Sequence, residues 1–291
     1  FSTGLSTLSS AVDPNNNVTV AIFSFASGNA ALQPEKARTF SAGMVLQPSF
    51  LDRFSLSVDY YSINLSDAIV QVGANDVLAR CNAGQTAFCS QLVFAGPIGA
   101  NGQPLLSQIN VFPDNIASLK TSGLDYQLDW TVPALGGSLN LRVLGNYIFE
   151  LRQQQLGNTF NLAGAIGPDN LGGTGFPRAR FTASATFNKG DVTGTVQTRF
   201  VGAAKLNSAW GPKDVDDNSV PAIAYVDLRG NWRITKTLQL FATIDNLLNK
   251  APPNVPASQA QGQSAFYFTP INGIIYDAIG RQYRLGVRVG F

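Results

Sequence analysis

The sequence predicts an all-β fold, part of a transmembrane antiparallel β-barrel. Three observations predict it. Apolar content is high but dispersed, apolar and polar residues alternate with period two, and the connections between alternating segments are short and long in turn. The chain has 291 residues, 45% hydrophobic and 13% charged, against about 25% charged in an ordinary soluble domain. Mean hydropathy is slightly positive, +0.06. Yet no run approaches the ~18 uninterrupted apolar residues of a membrane-spanning helix. A barrel strand disperses its apolar residues because one face meets lipid and the other a wet lumen. A soluble sandwich or propeller disperses them too, but with more surface Lys and Glu.

Each strand follows from its alternation, over segments of roughly ten residues, the length a tilted barrel strand needs. A first, weaker segment surrounds Phe40, Ala42, Met44 and Leu46. In the second, Phe54, Leu56, Val58 and Tyr60 alternate with Ser55, Ser57 and Asp59. In the third, Leu124, Tyr126, Leu128 and Trp130 alternate with Asp125, Gln127 and Asp129. Leu139, Leu141, Val143, Tyr147 and Phe149 then lie opposite Asn140, Arg142, Asn146 and Glu150. Phe181, Ala183, Ala185 and Phe187 oppose Thr182, Ser184 and Thr186, and Val192, Val196 and Phe200 oppose Thr195, Gln197 and Arg199. Val226, Leu228 and Trp232 oppose Asp227, Arg229 and Asn231, and Leu238, Leu240, Ala242 and Ile244 oppose Gln239, Thr243 and Asp245. In the last, Tyr283, Leu285, Val287, Val289 and Phe291 oppose Gln282, Arg284, Gly286, Arg288 and Gly290. The sum is about nine strands, starting near residues 38, 53, 121, 138, 179, 191, 222, 236 and 281.

The connections carry the second argument. Pro48 to Asp52, Pro133 to Gly137, Asn188 to Gly190 and Arg233 to Lys236 are short. Residues 66–120, 151–177, 202–221 and 248–280 are long. Bacterial outer-membrane barrels have tight periplasmic turns and long external loops, so the long segments are read as extracellular. Residues 1–34 fall in the same loop phase, and Val18 to Phe23 reads as a hairpin arm within them. The final strand then runs from outside to the periplasm.

Candidate sites are sparse. The net charge of +2 is small and scattered, so nothing points to nucleic acid. There is no His, so no Ser-His-Asp arrangement can form within the chain, and it is read as no enzyme and as holding no cofactor or metal. Cys81 and Cys89 lie in the longest loop. Two close cysteines outside the cell oxidise to a disulfide; a metal pair is the alternative, without a His to complete a zinc set. Asp214, Asp216 and Asn218 take positions one, three and five of a calcium loop, but Ser219 and Tyr225 depart from it at six and twelve, so they read as a solvated turn. Gly172 to Gly175 reads as loop flexibility. Phe266, Tyr267 and Phe268 are candidate ligand-loop aromatics, or loop packing.

Several segments resemble TonB-dependent outer-membrane receptors, and together they cover most of the chain. They are Leu32-Gln-Pro-Glu-Lys-Ala37, Phe54 to Leu65, Thr121-Ser-Gly-Leu-Asp125, Phe176-Pro-Arg178 with Arg199-Phe-Val-Gly202, Ile244-Asp-Asn-Leu-Leu-Asn-Lys-Ala-Pro-Pro253, and Tyr276-Asp-Ala-Ile-Gly-Arg281 with the terminal Phe291. The resemblance implies that residues 1–291 are the C-terminal part of a 22-stranded barrel. The plug domain, the TonB box and the N-terminal strands then lie in the rest of the protein. A chain that opens on Phe1 fits a processed or truncated N-terminus. An open sheet edge in lipid is costly, so those remaining strands and the plug are expected partners.

The resemblance also implies localisation in the outer membrane of a Gram-negative bacterium. The function implied is TonB-dependent active import of a scarce nutrient, whether a siderophore, cobalamin, an oligosaccharide or similar. The alternative is a passive porin-type channel. Further implied partners are the lipid bilayer, the TonB complex acting through the plug, and a small-molecule or oligomeric nutrient ligand. Family members often carry a loop cysteine pair like Cys81 and Cys89. Arg142, Arg199, Arg229, Arg284 and Arg288 are implied to face the lumen and the plug. Phe291 is implied to be an assembly signal for the barrel-assembly machinery, or a residue of the aromatic girdle.

Overall fold

A computed structural model describes residues 5–155, 157–166, 175–255 and 273–290. Nine strands form one antiparallel run: β3 (Lys36–Leu46), β4 (Phe54–Gln71), β7 (Pro113–Ala134), β8 (Gly137–Gln155), β10 (Ala179–Lys189), β11 (Val192–Val201), β14 (Ile223–Arg233), β15 (Leu238–Asp245) and β16 (Gln282–Val289). Their order in the sheet is their order in the chain. Each strand therefore pairs with its predecessor, as short hairpins and long returns require. A tenth strand, β9 (Asn158–Asn161), pairs with β8 off this path. Elsewhere lie β1 (Leu5–Val12), β2 (Thr19–Ala26), β5 (Leu92–Ile98), β6 (Pro104–Val111), β12 (Ala204–Lys205), β13 (Ser219–Val220), α1 (Ala74–Asn82) and α2 (Thr86–Cys89).

The nine strands are those the alternation predicts. They differ in length. β4, β7 and β8 have 18, 22 and 19 residues, longer than the ~9–11 that cross a bilayer. Their extra residues fall in segments read as loop, where alternation lapses. The register keeps the two sets of residues on two faces. Arg142 pairs with Ser184, Ser184 with Gln197, and Gln197 with Asp227, a polar row. Three residues along each strand, on the opposite face, Gly145 pairs with Phe181 and Phe181 with Phe200, whose rings stack at 4.7 Å. A Cβ at Gly145 would collide with the Tyr126 ring, so only glycine admits that aromatic against the sheet.

The apolar face carries two groups of aromatics. Phe40, Tyr60, Phe149 and Tyr147 form a chain of contacts with ring centroids 5.4–6.4 Å apart. Phe54 and Trp130 meet edge-on at 6.3 Å. Six residues separate Phe54 from Tyr60, about 20 Å along an extended strand.

The chain divides into two compact units. One is Phe1–Ala37 with Leu65–Ser118, the other Arg38–Asn64 with Leu119–Phe291. In the first, the long segment read as loop is a folded module. Its sheet has the order β1-β2-β6-β5, with β2 and β6 parallel. Ile22, Ile109, Leu106 and Val77 are fully buried. The hairpin arm expected at Val18 to Phe23 is present as β2, paired with β1. Asp13, 0% exposed, holds the β1–β2 turn together. Its carboxylate accepts the N–H groups of Asn15 and Asn16 at 2.8 Å each, and of Leu106 at 2.5 Å. Burial opposes its ionisation, but these donors outweigh burial and hold the carboxyl below its usual range. Cys81 and Cys89 form a disulfide, Cα atoms 4.7 Å apart, that joins α1 to α2.

In the second unit, a buried cluster lies where connections return to the sheet. Ile166, Val201, Leu206, Val220, Ile223, Tyr225, Val255, Ile275 and Tyr276 pack together. They come from three of the long connections and the strand ends beside them, so those connections share one core.

Candidate functional site

The densest charged network sits on the polar face, at the ends of β11 and β14 away from the short turns. Register places it there: Arg199 pairs with Tyr225, and Gln197 with Asp227. The Arg199 guanidinium therefore reaches Asp227 one row away on the same face. Its Nε donates to Asp227 at 2.8 Å and its terminal nitrogen at 3.1 Å, a forked pair. The same nitrogen donates to Asp277 at 3.1 Å, and the guanidinium lies 5.2 Å from the Tyr225 ring centroid. The Asp227 side chain is 1% exposed. A carboxylate so buried is tolerable because it is paired and saturated. It also accepts from Gln197 at 3.3 Å and from the backbone N–H of Asn246 at 2.9 Å.

Two connecting segments are pinned through this network. Asn246, fully buried and at φ 50°, closes a turn by bonding both backbone groups of Lys250. Asn249 accepts the N–H of Arg281 at 3.0 Å. Asp277 also accepts from Ile279 and Gly280 at 3.2 Å each, which closes its own turn. Tyr276 beside it is buried, and burial pushes its hydroxyl up to about 12. These two segments, Ile244–Pro253 and Tyr276–Arg281, are among those that carry the family resemblance. Their Asn and Asp residues make the turns that return the chain to the sheet.

Two recesses flank Arg199 on this face. One is lined by Asp125, Asn146, Arg180, Thr182 and Tyr225. There Asn146 donates to Asp125 at 2.8 Å and to the Tyr61 hydroxyl at 3.3 Å. The other is lined by Asp227, Arg229, Asp245, Asp277 and Arg284, and Arg284 is ion-paired to Asp245. Charges are balanced and hydrogen-bonding groups abundant. Among the described residues no group of three His, Cys, Asp or Glu is placed to hold a metal. Asp214 instead accepts the Gly211 N–H at 2.8 Å, and Asn218 bonds Asn207 and Trp210, a closed turn. The surface suits polar contact with a ligand or a neighbouring segment.

Of the arginines singled out in the sequence, Arg199, Arg229 and Arg284 meet at the second recess. Arg142 shares their face but pairs with Asp129 at 3.5 Å. Arg288 lies opposite Gln239 near the end of β16. Phe266, Tyr267, Phe268 and Phe291 lie outside the described residues. Sequence reasoning missed Asp277 as a partner of Arg199, Asn246 as a partner of Asp227, and Tyr276 as a buried neighbour in the adjoining core. The Asp-Asn and Tyr-Asp dipeptides at strand ends were the available signal.

Comparison with known proteins agrees with this architecture. The family model described as TonB dependent receptor-like, beta-barrel matches residues 2–247. No curated protein sequence matches. Among solved structures, the ferric enterobactin receptor PfeA of Pseudomonas aeruginosa, in complex with enterobactin, superposes with a TM-score of 0.59 at 16% identity, over 92% of this chain and 33% of that one. The siderophore receptor PirA of Acinetobacter baumannii gives 0.57 at 14%, over 99% and 36%. The FrpB iron transporter of Neisseria meningitidis gives 0.55 at 17%, over 91% and 33%. At these identities the likeness is one of fold. The chain spans about a third of the length of the solved structures it matches.

Proposed function

Since the chain belongs to the TonB-dependent receptor-like β-barrel family, we propose that it forms part of the wall of an outer-membrane transporter that imports a scarce nutrient. The observation that carries the reading is the two-faced sheet with two aromatic belts. Phe40, Tyr60, Phe149 and Tyr147 lie at one depth, Phe54 and Trp130 at another. Barrels of the outer membrane flank an apolar band of about 25 Å with such girdles. In this reading the apolar face meets lipid and the polar face lines the lumen. In the same reading, further strands and a plug would be supplied by the rest of the protein.

The Arg199 network fixes external connections to the lumen wall, and the two recesses beside it offer polar contacts to ligand or plug. Arg229 and Arg288 have no ion-pair partner among the described residues, and are the arginines left to meet the plug; Arg142, Arg199 and Arg284 are already paired within the wall. Energy would come from the TonB complex acting on the plug. The three solved neighbours compared above are named for enterobactin, a siderophore and iron, and another for copper, so ferric chelates are the first ligands to test.

The test is uptake by the full-length protein in cells. Growth on a limiting ferric siderophore should require both the intact gene and TonB. Uptake that persists without TonB would assign the barrel to passive diffusion.

A further inference from the structure

We propose that the apolar face holds one anionic phospholipid in a trench crossing β11, β14, β15 and β16 beside the short turns. The proposal rests on the barrel reading, in which this face meets hydrocarbon.

The trench is a consequence of register. Gly194 pairs with Gly230, Gly230 with Ala242, and Ala242 with Leu285. A Cβ at Gly194 or Gly230 would meet nothing within 4 Å. The row on one side carries Trp232 paired with Leu240, and the row on the other carries Leu228 paired with Ile244. These four side chains and Leu285 line the cavity. The trench thus has walls as well as a floor of small residues. Its floor of small residues spans two strand spacings, about 10 Å, and ends at Leu285, long enough for part of one acyl chain.

The occupant is identified by what stands on the trench's turn side. Trp232 is 51% exposed, and aromatic rings concentrate at headgroup depth. One turn beyond it, Lys236 is exposed and has no ion-pair partner among the described residues. An apolar slot walled on its turn side by an indole, with an exposed unpaired cation in the turn beyond, matches a chain that ends in a phosphate. With the short turns periplasmic, the lipid belongs to the periplasmic leaflet. Phosphatidylglycerol satisfies both ends.

The experiment uses the full-length receptor in detergent, with phosphatidylglycerol or phosphatidylethanolamine added and bound lipid read by native mass spectrometry. Wild type should retain one phosphatidylglycerol and hold phosphatidylethanolamine more weakly. Gly230→Leu fills the trench and Lys236→Glu reverses its charge; each should weaken retention about tenfold. Ala42→Leu, on the apolar face far along the sheet, should leave it unchanged. Equal retention by Gly230→Leu overturns the proposal. So does equal retention of the two lipids, or a protein dimer in place of the lipid adduct, which would give the trench to a second copy. Heat-modifiable folding and outer-membrane insertion are scored in the same variants. Failure of insertion in wild type would defeat the barrel reading itself; normal insertion with unchanged lipid retention defeats this proposal alone.

Discussion

Asp13 shows what one buried charge does in the loop module. Its donors come from the β1–β2 turn and from Leu106 in β6, 93 residues away. The carboxylate therefore ties a local hairpin to a strand far along the chain. A carboxyl held below its usual range stabilises the fold fully above the unfolded value of about 3.9. That contribution is lost as pH falls through the lower folded value. Protease resistance of the loop module, residues 5–37 and 65–118, should accordingly fall in acid, below about pH 4. Asp13→Asn puts an amide donor against backbone donors, and should cost about 1–3 kcal/mol at neutral pH. It should also remove this group's share of the acid response. If the Asp13→Asn variant proved as resistant as wild type at pH 7, the carboxylate would carry no such role. Nothing in the composition marked Asp13; it fell within residues 1–34, read only as part of the loop phase, and its partner lies too far along the chain to be read locally.

At the scale of elements, the strands and their faces were legible while the loop module was not. A barrel strand announces itself locally, because lipid and lumen impose opposite demands on successive residues. Leu124 to Trp130 or Leu139 to Phe149 need no distant partner to be recognised. β2 was legible as a hairpin arm, but the module around it was not: β2 pairs in parallel with β6 across more than eighty residues, and β5 and β6 each contain proline. The ends of β4 and β7 were missed for a related reason, since alternation lapses where strands pass the bilayer. The Arg199 network divides the same way. Arg199 was recognisable as a polar-face residue, but Asp277 arrives from a long return that no local pattern places. The faces themselves can be tested. Val143→Arg, on the apolar face, should cost roughly 2–4 kcal/mol, because the charge would sit in hydrocarbon. Asn140→Arg should cost about 1 kcal/mol, the hydrogen bond to Thr131 at 2.9 Å. Urea unfolding of the full-length barrel compares them, and equal costs would mean that the two faces are reversed or both wet.

For the whole molecule, the parity of connections makes the strongest statement. Four hairpins close within a few residues, at 46–54, 134–137, 189–192 and 233–238. The connections between them are long, and they hold the disulfide, both helices and the shared core of Tyr225 and Tyr276. In an antiparallel sheet whose strands follow chain order, alternate connections must lie at opposite ends. All four tight turns therefore share one end, and every long connection the other. This follows from the strand order and does not depend on which end faces the cell exterior. The direction comes from the barrel architecture, which places long loops outward; the Cys81–Cys89 disulfide fits either side, since the cell surface and the periplasm are both oxidising. A tag at Gly84, an exposed residue at φ 85° with nothing within 4 Å of an added Cβ, should be labelled on intact cells. A tag at Gly190, in the turn after Lys189, should be labelled only after the outer membrane is permeabilised. Labelling at both sites in intact cells would break the parity and the barrel topology with it. Labelling at Gly190 alone would keep the barrel and invert it. That inversion would also move the phospholipid trench to the outer leaflet, so the tag experiment constrains the lipid proposal independently of any lipid measurement.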